Sequence, residues 1–374
     1  MKGSLLSNPK VILSNSTSPP ARALWLIRIP DVFLDCEVEI LRALQAVLVK
    51  KLGRDYRLVR CADPGAIHGH DVSKFVSWSL PVHHSWPCNP QETQGFIEKA
   101  AQALVKKFGD ARPQALMTGA LDSGPSNRYY RTLASNLRGR ALQIFPPAVG
   151  EIREAEEQSP LSPTLFCLIG KEGLFCGLQS PQSCGGFHPG GTRFIRQNTP
   201  DTISRAGAKI VGALHQLRLY RPAPATGAHW LELGASPGGM TAELLNRGYQ
   251  VTAVDRAPLD PRLKNSPGLH AVIGDASSFE PAKGEWYDVI LSDMNGDALD
   301  SITRVIRLCS RLKSAGLVIF TLKTAGVVGY DALNALETSV IATAAAANLD
   351  RITGIHLAYN RHEFTLIFER RPNG

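Results

Sequence analysis

No stretch of the 374 residues approaches the roughly 20 consecutive apolar residues that a membrane helix needs, so no membrane partner is expected. No C-x-x-C pair occurs. The seven cysteines, Cys36, Cys61, Cys88, Cys167, Cys176, Cys184 and Cys309, are odd in number and scattered, which argues against a disulfide framework and fits reduced thiols in a cytoplasmic protein. The main glycine loop, residues 234–239, has neither the G-x-G-x-x-G spacing nor the G-x-x-x-x-G-K-[ST] lysine, which disfavours a pyrophosphate ligand. The opening residues 1–22 are rich in Ser, Asn and Pro, hold no secretory apolar region, and are expected to form a flexible tail. What the chain has in excess is positive charge. A formal +8 on a composition 44% hydrophobic and 20% charged fits a globular protein with a polyanionic partner such as RNA, although many basic proteins bind none.

The chain is organised around His229-Trp230-Leu231-Glu232-Leu233-Gly234-Ala235-Ser236-Pro237-Gly238-Gly239-Met240-Thr241. An apolar run, a glycine turn and a helical pattern through Leu244 and Leu245 to Gly248 predict strand, tight turn and helix, with the glycines leaving room for a ligand. The next strand ends in Asp255, where doubly wound sheets place an acid on ribose hydroxyls. Glu232 fits a cationic ligand better than a polyphosphate, and S-adenosyl-L-methionine carries a sulfonium and an amino group.

Ahead of this unit, Leu24 to Ile29 reads as a strand, Glu37 to Leu52 as a helix stopped by Gly53, and Tyr56 to Cys61 as a strand. His68, His70, His83, His84 and Cys88 match no tight zinc spacing, so no metal is expected there or elsewhere in the chain. Gln91 to Phe108 reads as an amphipathic helix, Ala115 to Thr118 as a strand, and Ser126 to Gly139 as a helix carrying Arg128, Arg131 and Arg138. Thr164 to Ile169 and Leu174 to Leu178 form a predicted hairpin. The basic helix faces are either ordinary solvated surfaces or a platform for phosphates. Gly and Pro crowd residues 181–202 and mark a domain boundary there, with Arg193, Arg196 and Arg205 as expected RNA contacts beside it.

Ser204 is expected to cap a helix from Arg205 to about Leu219 that carries Lys209. Further strands end in Asp275, Asp293 and Lys323, and a last strand follows Glu363. Strands alternating with helices predict an α/β doubly wound, mostly parallel sheet of Rossmann-like type, whose ligands lie at the carboxyl ends of its strands. Asp255, Asp275, Asp293 and Lys323 fall at that edge.

Ser204-Arg205-Ala206-Gly207-Ala208-Lys209, the loop from Leu233 to Gly239, Ser292-Asp293-Met294, Leu322-Lys323 and Arg361-His362-Glu363-Phe364 resemble, in order and spacing, the successive motifs of FtsJ-type RNA 2′-O-ribose methyltransferases. Within that family the chain is most similar to the RlmM type, which methylates a cytidine ribose of large-subunit rRNA. The resemblance implies a class I methyltransferase domain preceded by ferredoxin-like and THUMP-like regions. It implies S-adenosyl-L-methionine as cofactor, held by Gly234, Ala235, Ser236, Pro237, Gly238, Gly239, Asp255, Asp275 and Asp293, and a catalytic tetrad of Lys209, Asp293, Lys323 and Glu363. The expected division is a tail (1–22), a small α+β domain (23–95), an RNA-binding domain (96–185), a linker (186–203) and the methyltransferase domain (204–374). A ribose hydroxyl is a poor nucleophile, and a neutral lysine could take its proton if desolvation and a neighbouring cation depress its pKa. Lys323 is the expected base and Lys209 the neighbouring cation, with Asp293 and Glu363 orienting both. Two alternatives stand beside this reading: a methyltransferase of a base, protein or small molecule, and a non-catalytic RNA-binding protein on a methyltransferase fold.

Overall fold

Three sheets follow one another along the chain, and the computed structural model describes them over residues 23–62, 67, 70–121, 128–191, 202–360 and 362–372, the side chains of residues 70 and 71 excepted. The first is built from β1 (Ala23–Arg28), α1 (Glu37–Ala43), β2 (Ala46–Leu52), β3 (Tyr56–Cys61), the single turn α2 (His70–Ser73) and β4 (Trp78–Pro81). Its antiparallel strands lie in the order β2-β3-β1-β4, the ferredoxin-like arrangement of a βαββαβ unit. The expected helix from Glu37 to Leu52 is corrected here, because it stops at Ala43 and its second half is β2. Gln45 takes a left-handed φ of 48° that breaks the helix. The β-branched Val47 and Val49 then suit a strand paired along β3.

The second sheet, order β5-β8-β7-β6, comprises β5 (His84–Trp86), β6 (Ala115–Ala120), β7 (Thr164–Gly170) and β8 (Gly173–Gln179). It therefore begins at His84 rather than beyond residue 95. Helices α3 (Phe96–Phe108) and α4 (Arg128–Ile144) pack on it through Ala100, Leu104, Leu133 and Leu137, and α5 (Pro181–Cys184) follows β8. The turns at 91–95 shorten the helix expected from Gln91. His83 accepts the Leu178 backbone N–H at 3.1 Å through Nδ1, a structural use of that histidine. Arg138 is likewise structural, because it donates to the carbonyls of Leu116, Ile152 and Arg153 and offers little to a phosphate.

The third sheet has seven strands in the order β11-β10-β9-β12-β13-β15-β14. These are β9 (His229–Leu233), β10 (Gln250–Asp255), β11 (Leu269–Ile273), β12 (Tyr287–Ser292), β13 (Leu312–Lys323), β14 (Leu349–Ile355) and β15 (Glu363–Arg370), of which β15 alone runs antiparallel to its neighbours. Continuous apolar runs such as Leu317 to Leu322 reflect burial on both faces. One face packs on α6 (Gly207–Leu217) and α7 (Gly239–Asn246). The other carries α8 (Ala298–Leu308) and α9 (Tyr330–Ala346), and its core continues into the first sheet's unit through Ile27, Phe33 and Phe75. Phe33 stacks on Phe364 with ring centroids 5.4 Å apart and meets Phe75 edge-on at 5.1 Å. Ser204 does not cap α6. The helix starts at Gly207 with Ala206 at its N-cap and no side-chain bond, and the buried Ser204 Oγ has no hydrogen-bond partner among the described residues.

Candidate active site

Four charged side chains meet where α6, β12, β13 and β15 converge. Lys209 is the third residue of α6, Asp293 follows β12, Lys323 ends β13 and Glu363 begins β15. Antiparallel pairing sets Lys323 directly opposite Glu363. Lys323 Nζ lies 2.7 Å from Asp293 Oδ1 and 2.7 Å from Glu363 Oε2. Lys209 Nζ lies 2.6 Å from Glu363 Oε1 and 3.3 Å from Asp293 Oδ2. Each cation thus touches both acids and each acid both cations, a closed square of alternating sign. The side chains retain 9–19% exposure, so the square is shielded yet reachable.

Electrostatics correct one expectation. Burial works to lower the Lys323 pKa, but the charge of Asp293 and hydrogen bonds to Asp293 and Glu363 outweigh it, and the net shift is upward. Lys323 is therefore an ammonium at neutral pH, not the depressed amine that a neighbouring cation alone would produce. The two acids between Lys209 and Lys323 outweigh the repulsion of one lysine by the other. For Glu363, burial raises the pKa, yet the bonds from Lys209 and Lys323 prevail and hold it below its ordinary value.

A polar cavity of about 430 Å³ opens beside the square, lined by Lys209, Asp293 and Lys323 together with Gly234, Ser236, Asp255 and Asp275. The acids at the ends of β10 and β12, and the one just past β11, do converge there. Asp255 accepts the backbone N–H groups of Ser236 at 2.9 Å and Ala257 at 2.8 Å, which ties the glycine loop to β10. Asp275 accepts from the Ser277 N–H and hydroxyl, and these bonds lower its pKa. Arg256, Asn295 and Arg304 also line the cavity and were not foreseen; Arg304 is on α8, where a basic residue carries no periodic signal, and the other two are in loops that follow β10 and β12.

Glu232 is different. It is 1% exposed, lies outside the cavity lining, and accepts the Thr241 hydroxyl at 2.7 Å. Burial pushes its pKa up to about 8, so it is largely neutral at pH 7 and does not offer the negative charge expected for a cationic ligand. The glycines are also put to another use. A Cβ on Gly234, whose φ is +79°, would meet the Met294 backbone nitrogen at 2.9 Å, and one on Gly239 would meet Ser204 Oγ at 2.1 Å. Their missing side chains let the loop pack on β12's exit and let α7 pack on the start of α6. Ala235, Pro237, Gly238 and Gly239 are not among the cavity-lining residues.

Arg205 is exposed just before α6, whereas Arg193 and Arg196, most of the 186–203 linker, the 1–22 tail, His68 and Arg361 lie outside the described residues. Among the described residues no helix is long and apolar enough to cross a membrane. None of the seven cysteines, all of them among the described residues, forms a disulfide.

Residues 202–351 match the family model described as FtsJ-like methyltransferase. Ribosomal RNA large subunit methyltransferase M of Halorhodospira halophila is 30% identical over 233 residues, covering 61% of this chain and 62% of that protein. The protein of the same name from Tolumonas auensis is 28% identical over 236 residues, covering 61% and 59%. The chain thus spans about three fifths of the length of these curated relatives. Among solved structures, that of TrmN from Thermus thermophilus is 15% identical and covers 93% of this chain and 99% of that one, with a TM-score of 0.35. The stretch that supplies Lys209, Asp293 and Lys323 is thus similar to the FtsJ-like methyltransferases over residues 202–351, and it lies in the unit built on the seven-stranded, mostly parallel sheet.

Proposed function

We propose that this chain is an S-adenosyl-L-methionine-dependent RNA 2′-O-ribose methyltransferase acting in the cytoplasm on a cytidine of large-subunit rRNA. The observation that carries the reading is the closed square of Lys209, Asp293, Lys323 and Glu363 beside an open polar cavity. A methyltransferase of a strongly nucleophilic base or thiol has no need of two lysines held between two acids. A ribose hydroxyl does need a group that removes its proton.

The cavity suits the cofactor by its donor set. Asp255, Asp275 and Asp293 offer acceptors for ribose, adenine and amino groups, the glycine turn carries no lysine for phosphates, and about 430 Å³ falls within the range of small-ligand sites. S-adenosyl-L-methionine would be held by Gly234, Ser236, Asp255, Asp275 and Asp293, and would supply a methyl group on a positively charged sulfur. In its neutral form Lys323 Nζ would accept the proton that the 2′-hydroxyl gives up. Glu363 and Asp293 hold that nitrogen between them, and Lys209 fixes both carboxylates so that neither swings away. Because the two acids raise the Lys323 pKa, the base form is scarce at pH 7 and grows about tenfold per pH unit below its pKa. Arg205, with Arg193 and Arg196, would contact the RNA backbone, positioning it without reading sequence.

The test is to incubate the protein with labelled methyl donor and rRNA from cells lacking the gene, then map the product by resistance to alkaline cleavage. One resistant cytidine linkage in large-subunit rRNA is the expected result. Label on a base, or none on RNA, would overturn the reading.

A further inference from the structure

Among the described residues, one group of three metal-ligating side chains stands apart from the catalytic square: Glu156, His188 and His215. Glu156 lies in a 3-10 turn before β7, His188 follows α5, and His215 is on α6, six residues after Lys209. We infer that these three hold a divalent transition-metal ion, zinc being the natural occupant, in a site that staples the second sheet's unit to the helix carrying Lys209.

The geometry points that way from three separate stretches of chain. One donor atom from each residue lies within 4.8 Å of the other two. His188 Nε2 and Glu156 Oε1 are 3.7 Å apart, and the two imidazole rings lie 5.2 Å apart at 33°. A tetrahedral zinc with bonds of roughly 2.0–2.1 Å sets its donors roughly 3.3 Å apart, so the first pair needs little change and the widest must close by about 1.5 Å. Side-chain rotation supplies that, since His188 and Glu156 keep 25% and 32% exposure and only His215 is fixed by burial. Phe187, itself buried, packs edge-on to His215 at 5.2 Å and closes the apolar side. Two imidazoles and a carboxylate form a donor set suited to zinc, with a fourth position open to water on the exposed side. Arg218 is the nearby opposing charge. It lies 5.2 Å over the Phe187 ring and donates to the Glu156 backbone carbonyl. The site uses none of the histidines between residues 67 and 88, for which no metal was expected.

Tag-free full-length protein, stripped with chelator and dialysed, should bind one equivalent of zinc in calorimetry and rise in melting temperature with it. Cobalt should give visible d–d bands without the near-ultraviolet charge transfer of a thiolate. His188→Ala and Glu156→Gln change half-exposed side chains and should remove both signals while leaving the metal-free melt in place. Cys88→Ser, which changes the cysteine that is not fully buried, should remove neither. No binding below millimolar zinc, binding that survives His188→Ala, or a thiolate band lost in Cys88→Ser would each overturn the proposal. None of these readouts depends on methyl transfer.

Discussion

Two lysine-carboxylate groups in this molecule are made of the same chemical parts and are put to opposite uses. In the catalytic square, Lys209, Asp293, Lys323 and Glu363 balance charge beside an open cavity. In the other, Lys74 of the first sheet's unit reaches Glu337 on α9, which also accepts from Arg351 on β14 at 3.2 Å, and their side chains are 1%, 3% and 7% exposed. The sealed group sits at the junction whose apolar part is Phe33, Phe75 and Phe364, and no ligand can reach it. What separates a reactive cluster from a structural rivet here is access, not residue type. An open square can exchange a proton with a substrate, whereas a sealed pair can only be kept or broken.

The largest effect should come from the open side. Lys323→Ala removes the proton acceptor, and turnover on RNA should fall by about a hundred- to ten-thousand-fold while calorimetry still detects cofactor binding. Full activity would mean that the square is a second rivet. On the sealed side, Lys74→Ala leaves Glu337 buried with only Arg351 and should cost about 3–5 kcal/mol in denaturant unfolding. The double change Lys74→Met with Glu337→Leu should recover most of that loss, and the rate per folded molecule should hold in both variants.

Glu232 sharpens the contrast, being a single buried carboxyl that meets no cation among the described residues. Its folded pKa of about 8 lies above the ordinary 4.5, so the folded state keeps a proton that the unfolded state gives up between those values. Stability should therefore fall as pH rises from about 4.5 to 8 on its account, by a few kcal/mol at most. Glu232→Gln should flatten that slope, raising the melting temperature more at pH 8 than at pH 5.5. A melt with equal gain at both values would contradict a buried neutral acid. The smallest effect belongs to the exposed Arg205. Arg205→Ala should weaken RNA binding uniformly across sequences and lower the salt dependence by about one unit, as read from binding titrations at several salt concentrations.

The parallel strands β10, β12 and β13 were legible because each is a largely apolar run that ends in or runs straight into an acid or a lysine, and Asp255, Asp275, Asp293 and Lys323 fell at one edge once the strand directions were known. Glu363 was legible only through the family resemblance, since β15 pairs antiparallel and presents its first residue, not its last, to that edge. Other features had no local signal. The edge strand β14 alternates poorly through Asp350, Arg351 and Gly354, and the helix over 37–52 failed because Gln45 adopts a left-handed turn that its residue type does not announce. Glu232 looked like a ligand because its position before the glycine turn says nothing of burial between two helical layers. Lys74 and Glu337 are 263 residues apart, and only the packing of the two units brings them together.

The pH dependence of kcat/KM for methyl transfer to RNA tests the open square most directly, because it reports the protonation of the free enzyme. With Lys323 held above its ordinary pKa by Asp293 and Glu363, log kcat/KM should climb with a slope near one from pH 7 to pH 9, and Lys323→Ala should flatten it. A profile already level at pH 7, or the same climb in the variant, would show that the proton leaves by another route.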